Sequence, residues 1–174
     1  MPTPASPTWS TTSVPPLVKY EAMSKALIAT DGSEFALTAA KRAKQLLEPT
    51  LEVTLLTVVP PPVMPVAAPV TGIEAAPIAT PETTEELTEA YLEEAQGSLE
   101  RTAKALGGSV ARRVEYGDPA TEICRVAEDE KFDVIVVGSH GGGFMKRVLL
   151  GSVSQHLLHH APCPVLVVRA TDHS

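Results

Sequence analysis

Aromatic side chains are scarce in this chain. They make up 4% of its 174 residues, whereas hydrophobic residues as a whole make up 44%. The length points to one domain with a sizeable core. Because Phe, Tyr and Trp are so few, that core must be built from Val, Leu, Ile and Ala.

Basic residues are outnumbered, and they form no cluster. There are 14 Lys and Arg against 21 Asp and Glu, which gives a formal net charge of -7. An acidic chain without a basic patch is a poor nucleic-acid binder, so we expect no nucleic-acid partner. A site for an anionic ligand would have to use local backbone donors.

Cysteine and long apolar runs are also limited. Cys124 and Cys163 belong to no CxxC pair and have no metal-ligand spacing, so we expect two small buried residues in a reducing compartment. No stretch has the length of a membrane span, and no basic segment followed by an apolar one marks a signal peptide. These patterns predict a cytoplasmic protein with no membrane partner.

Proline-rich segments divide the chain. Residues 1–23 are rich in Pro, Ser and Thr, which predicts a disordered tail before a domain over residues 24–170 and a short tail over residues 171–174. Residues 60–82 form a second segment rich in Pro and Ala. Long loops are usually functional or disordered, and two interpretations stay open here: a mobile lid or a simple tether.

Strand and helix patterns alternate along the domain. Strands are predicted over residues 25–30, 51–59, 110–116, 134–137 and 165–168, and helices over residues 34–47, 83–106, 119–130 and 152–160. The predicted helix starts are Ser33, Thr83 with Glu86, Asp118 with Pro119, and Ser152 with Gln155. Such alternation predicts an α/β fold, in which helices cover both faces of a parallel sheet in a three-layer sandwich.

Residues 134–154, VIVVGSHGGGFMKRVLLGSVS, contain the strongest functional signal. Four apolar β-branched residues suit a strand buried on both faces, and glycines at 138, 141, 142 and 143 follow. Gly151 and Ser152 then open a helix. Glycine lets backbone N–H groups approach a ligand, and a helix start adds unpaired donors with partial positive charge. The segment predicts an anion site, most naturally for phosphate.

The spacing Gly138, Gly141, Gly151, Ser152 matches G-x2-G-x9-G-[ST] and resembles the signature of the universal stress protein family, in its ATP-binding subgroup. The segments VVGSHG, LLGSVS and PCPVLVV are similar too. No P-loop motif occurs, and the dinucleotide fingerprint lacks its third glycine. The resemblance implies a Rossmann-like, five-stranded parallel sheet of order 3-2-1-4-5, bound ATP with Mg²⁺ bridging its phosphates, and a homodimer formed through residues 165–168.

That strand order makes the first and fourth strands neighbours at the topological switch point, where ligands bind in such sheets. Asp31 follows the first strand and Gly138 follows the fourth, so the two motifs converge. Asp31 also suits an Asx-turn, and both roles can hold together. The resemblance assigns ATP contacts to Ala29, Thr30, Asp31, Thr57, Val58, Val59, Gly138, Ser139, His140, Gly141, Gly142, Gly151, Ser152, Val153 and Ser154.

Other candidate residues carry weaker signals. Lys146 and Arg147 are within reach of a terminal phosphate or are simply solvated. His156 and His160 have the spacing of a metal pair, but with no clear third ligand we interpret them as surface histidines.

The predicted function is that of an ATP-binding, nucleotide-dependent stress-response protein. We expect at most slow ATP hydrolysis, because the sequence shows no nucleophile–base pair and no arginine finger. One alternative is a dimeric interaction scaffold that needs no nucleotide. An ATP-using transferase ranks last, because the motifs HIGH and SGGxDS are absent.

Overall fold

Five strands and four helices alternate along the part of the chain that the structure describes, as predicted. The structure, a computed structural model, describes residues 23–47, 50–61, 81–139 and 150–169, with only the backbone of residues 81–84. The elements are β1 Lys25–Ala29, α1 Glu34–Leu46, β2 Glu52–Val59, α2 Pro81–Ala105, β3 Ala111–Tyr116, α3 Pro119–Asp129, β4 Val134–Gly138, α4 Ser152–His160 and β5 Val165–Val168. The predicted tails and most of the Pro/Ala-rich segment lie outside the described residues.

The strands form one parallel sheet of order β3-β2-β1-β4-β5, which confirms the predicted fold class and strand order. β1 lies at the centre, where Ala26 pairs with Val53 on one side and with Val134 on the other. β3 and β5 are the two edges. The carboxyl ends of β1 and β4 therefore meet, which is the geometry of a switch-point site.

Helices cover both faces of the sheet, so adjacent strand residues enter different cores. On the face covered by α1 and α2, Ile28, Leu55 and Val136 pack against the alanines of α1. On the face covered by α3 and α4, Leu27 and Leu56 pack in the second core. β4 is buried along its whole length, as its continuous apolar run predicted.

Two predicted helix starts are confirmed. The Ser33 hydroxyl caps α1 by accepting a hydrogen bond from the Ala36 N–H at 3.2 Å. Asp118 caps α3 by accepting one from the Thr121 N–H at 3.0 Å, and Pro119 takes the first helical position. The side chains that accept hydrogen bonds from the N–H groups at these two helix starts are the ones predicted from the sequence.

The two other predicted starts are wrong. α4 is capped by Gly151 without a side-chain hydrogen bond, so Ser152 is its first helical residue and cannot form a capping box with Gln155. The Gly151 N–H donates to the Ser139 carbonyl at 2.8 Å. The cap of α4 is therefore held at Gly151, one residue before the predicted cap. α2 begins at Pro81, whose fixed φ suits a first turn, so Thr83 lies inside the helix.

Both cysteines are free thiols, and they are half-buried instead of buried as predicted. They pack at the margin of the core under α3 and α4. Burial raises the pKa of the Cys124 thiol and of the Cys163 thiol above the ordinary value. None of the described helices combines the length and apolar character needed to cross a bilayer.

Candidate functional site

A cavity of about 830 Å³ lies at the carboxyl ends of β1, β2 and β4. The described residues of the predicted site, with the exception of Ser139, line it. They are Ala29, Thr30, Asp31, Thr57, Val58, Val59, Gly138, Gly151, Ser152, Val153 and Ser154. The predicted contacts His140, Gly141 and Gly142, together with Lys146 and Arg147, lie outside the described residues.

The start of α4 provides hydrogen-bond donors at the cavity. Helix geometry leaves the first N–H groups without an intrahelical acceptor, and the Gly151 N–H is bound to Ser139. The N–H groups of Ser152, Val153 and Ser154 therefore remain for other acceptors. They carry the partial positive charge of the helix end, so this part of the cavity favours an anion.

Two serines fix the position of this helix start. The Ser154 hydroxyl is buried and donates to the Gly138 carbonyl at 2.8 Å. Ser139 is buried beside the cavity, and its N–H donates to the Val168 carbonyl at 2.9 Å. The end of β4 is thus bound to both α4 and β5. The hydroxyl of Ser154 thus serves this framework.

On the other side of the switch point, Asp31 forms the predicted Asx-turn. Its Oδ1 accepts hydrogen bonds from the Ser33 N–H at 3.1 Å and from the Ser33 hydroxyl at 2.6 Å. The residue is exposed and lines the cavity. The turn therefore holds a carboxylate at the rim, where it can accept hydrogen bonds from a ligand.

The two predicted threonines have structural roles. Thr57 and Thr30 are buried, with 7% and 6% of their surface exposed. The Thr57 hydroxyl donates to the Thr30 carbonyl at 2.8 Å, and the Thr30 N–H donates to the Leu56 carbonyl at 2.9 Å. These bonds join the ends of β1 and β2, which form the floor of the cavity.

Helices α2 and α3 supply a wall that the sequence did not indicate. Four residues of α2 line the cavity, namely Tyr91, Glu94, Ala95 and Ser98, and α3 adds Pro119 and Ile123. The apolar stripe of α2 was visible in the sequence. A stripe shows which face is buried but not how far the helix extends over the sheet edge, so its part in the cavity required the structure.

The described residues contain no group of three side chains that could hold a metal ion. The His156 and His160 rings stack with centroids 4.2 Å apart, and the His160 Nδ1 lies 3.0 Å from the His156 carbonyl. The spacing that suggested a metal pair thus corresponds to two stacked rings on one helix. Within the described part of the chain, no third ligand accompanies them.

The model of the universal stress protein family matches residues 23–169. The chain belongs to the universal stress protein family. This agrees with the resemblance seen in the glycine spacing and with the observed strand order. The match includes every element from β1 to β5.

Individual relatives agree with this membership. The universal stress protein MJ0577 of Methanocaldococcus jannaschii is 41% identical over 80 residues, which cover 44% of this chain and 49% of the relative. The chain thus spans about half the length of this curated relative. The solved structure of MJ0577 has a TM-score of 0.71 at 33% identity and covers 87% of this chain and 99% of that chain.

Two more distant solved structures share the fold. A universal stress protein in complex with cAMP has a TM-score of 0.57 at 21% identity and covers 86% of this chain and 99% of that chain. A family protein of Arabidopsis thaliana with AMP bound has a TM-score of 0.58 at 20% identity and covers 86% of this chain and 93% of that chain.

Proposed function

We propose that this universal stress protein binds ATP at the switch-point cavity and acts as a nucleotide-dependent regulatory protein of the stress response in the cytoplasm. The observation that carries the proposal is the set of three N–H groups at the start of α4 that have no acceptor within the helix, on residues that line a cavity of about 830 Å³. The glycine spacing from Gly138 to Ser152 favours a nucleotide with several phosphates.

The cavity suits the two ends of a nucleotide. The α4 donors match phosphate oxygens, and the Asp31 carboxylate on the β1 side matches groups that donate, such as ribose hydroxyls. Val58, Val59 and Ile123 offer apolar surface to a base. The same fold holds AMP in one relative and cAMP in another, which supports an adenine nucleotide as the ligand class.

Mg²⁺ would accompany ATP by bridging its phosphate oxygens. This cation commonly keeps several waters and takes only one or two carboxylates from a protein, so few protein ligands are needed. No residue of the chain is assigned to the metal.

A proline at position 152 tests the assigned donors. Ser152 is the first helical residue of α4, a position that accepts proline, and Gly151 has φ -71° and ψ 160°, which is compatible with a following proline. Ser152→Pro removes one N–H donor and should leave the helix intact. A hydrogen bond to a charged group contributes about 1.5 to 3 kcal/mol, so the dissociation constant for Mg-ATP should rise about tenfold or more.

Isothermal titration of the full chain measures this change, and Ser152→Ala is the matched control because it keeps the N–H and removes only the hydroxyl. Circular dichroism verifies that both variants fold. If the Ser152→Pro variant binds Mg-ATP as tightly as wild type, the start of α4 is not part of the binding site. A wild-type chain that binds no adenine nucleotide would refute the proposal.

The second candidate function is a dimeric interaction scaffold that needs no nucleotide. It is favoured by the position of β5, because Val165–Val168 lies at an edge of the sheet and three of its four residues are only half-buried. An apolar edge strand is a template for pairing with a second copy. Dimerisation at equal strength with and without Mg-ATP, in a chain that binds no nucleotide, would favour this candidate.

A further inference from the structure

Helix α2 is connected to the turn after β1 by hydrogen bonds of two of its hydroxyl groups, those of Thr102 and Ser98. Thr30 and Thr102 are in contact through their hydroxyl oxygens at 3.0 Å. Thr102 donates to the Ser98 carbonyl at 2.8 Å, and the Ser98 hydroxyl lies 3.2 Å from the Asp31 carbonyl, to which it donates. The Gly32 N–H closes the loop by donating to the Thr30 hydroxyl at 3.1 Å. We call this set of residues the turn network.

The direction of each bond follows from counting protons. A hydroxyl has one proton, and the Thr102 proton is donated to the Ser98 carbonyl, so Thr30 is the donor in its contact with Thr102. The order is Gly32 N–H to the Thr30 hydroxyl, Thr30 hydroxyl to Thr102 hydroxyl, and Thr102 hydroxyl to the main-chain carbonyl of Ser98. Ser98 then donates to Asp31, the residue that precedes Gly32. The network therefore begins and ends at the same turn.

The hydroxyl-bearing side chains of the network are buried and paired. Thr102 has 0% and Ser98 has 2% of its surface exposed. Among the described residues, no buried side-chain nitrogen or oxygen lacks a hydrogen-bond partner. Because buried polar groups are costly when unpaired, each member of such a closed set restricts the others to one arrangement.

Close packing reinforces this restriction. Gly32 has φ +72°, and an added Cβ there would lie 2.6 Å from the Ser98 Cβ. The Arg101 guanidinium also donates to the Ser98 hydroxyl, at 3.1 Å. The turn therefore lies directly against α2, and its position follows the position of that helix.

We infer that Ser98 and Thr102 are positioning residues for the ligand: through the turn network they hold the Asp31 carboxylate at the rim of the cavity. The inference rests on the proposed function, because it assigns Asp31 to the nucleoside end of the ligand. Ser98 also lines the cavity itself. The proposed phosphate donors are on α4, on the other side of the switch point, and α4 is not part of the turn network.

This separation gives a test with two ligands. Thr102→Val keeps the shape of the side chain and removes the hydroxyl that links the Thr30 hydroxyl to the main-chain carbonyl of Ser98. Mg-ATP binding should weaken about tenfold, whereas binding of Mg-tripolyphosphate, which has no nucleoside, should stay within about twofold of wild type. Thr102→Ser restores the hydroxyl and should bring Mg-ATP binding back toward the wild-type value. Isothermal titration of the full chain provides both constants.

A merely structural role for Thr102 would lower stability without changing the preference for ATP over tripolyphosphate. Amide hydrogen exchange at Gly32 adds a direct measure of the turn, and we expect faster exchange in Thr102→Val and wild-type exchange in Thr102→Ser. If Thr102→Val does not fold, Ser98→Ala removes the bond to Asp31 at the other end of the network and carries the same expectation.

The outcomes separate the two proposals. A wild-type chain that binds no Mg-ATP refutes the proposed function and this inference with it. If wild type binds Mg-ATP but the variants bind it equally well, or lose affinity for both ligands in parallel, only the role of the turn network is overturned.

Discussion

At the scale of single residues, the turn after β1 depends on Gly32. Its φ of +72° lies in the left-handed region, and its missing side chain makes room for Ser98 and Arg101. Glycine is therefore required at position 32 for two separate reasons, the backbone conformation and the close packing against α2. Gly108 offers a comparison, because its φ is +92° but nothing lies within 4 Å of an added Cβ.

Alanine substitutions at these two glycines should differ in cost. Gly108→Ala introduces only backbone strain, which is about 1 to 2 kcal/mol. Gly32→Ala adds steric conflict with α2 to the same strain, so its free energy of unfolding should fall by clearly more. Urea denaturation of the two variants and wild type measures the difference. Equal losses of unfolding free energy in both variants would show that α2 moves away from the added methyl group at little cost.

Several residue roles could be predicted because they depend on near neighbours in sequence. Asp31 bonds Ser33 two positions on, and Asp118 bonds Thr121 three positions on. Ser152 shows the limit of such patterns. The predicted start of α4 was wrong by one residue, because the Ser139 carbonyl after β4 accepts a hydrogen bond from the Gly151 N–H and Gly151 takes the cap position.

At the scale of elements, an aspartate joins the start of β1 to the turn before β4. The Asp133 carboxylate accepts hydrogen bonds from the Ser24 N–H at 2.7 Å and from the Lys25 N–H at 2.9 Å. These donors hold the pKa of Asp133 below its ordinary value. The stabilisation is therefore present above the unfolded-state pKa, near 3.8, and is lost as the pH falls through the lower folded-state pKa.

The variant Asp133→Asn should reproduce this loss without acid. At pH 7 its urea midpoint should lie below that of wild type, and the gap should close as the pH is lowered below about 4. Asp129→Asn is the control, because the Asp129 ion pair with Arg125 is on the surface and contributes little. A gap between Asp133→Asn and wild type that stays constant down to pH 2 would contradict the assigned role.

The type and order of the elements could be predicted, whereas their contacts with the ligand could be predicted only in part. The apolar run of β4 indicates that this strand is covered on both faces, and such a run is a local property of the sequence. The contribution of α2 to the cavity is not local. It depends on the packing of α2 against α1 and β2, which no periodicity in its own sequence records.

At the scale of the whole molecule, the position of β5 at the edge of the described sheet predicts assembly. We expect the full chain, of 18.4 kDa, to have twice that mass in solution at micromolar concentration. Val167→Lys places a charge on the edge strand and should give a monomer, whereas Ala111→Lys, on the opposite edge strand, should stay dimeric. Light scattering measures the masses. A monomeric wild type would exclude pairing through β5.

The strand order also affects how the chain is made. Synthesis delivers β1 early, and β2 and β3 follow, but β4, the neighbour on the other side of β1, arrives only after most of the domain has been translated. Until then the strand that ends at the centre of the finished sheet is an open edge, apolar on both faces. On the ribosome, the central strand of the folded molecule thus keeps one edge without its partner until β4 has been translated.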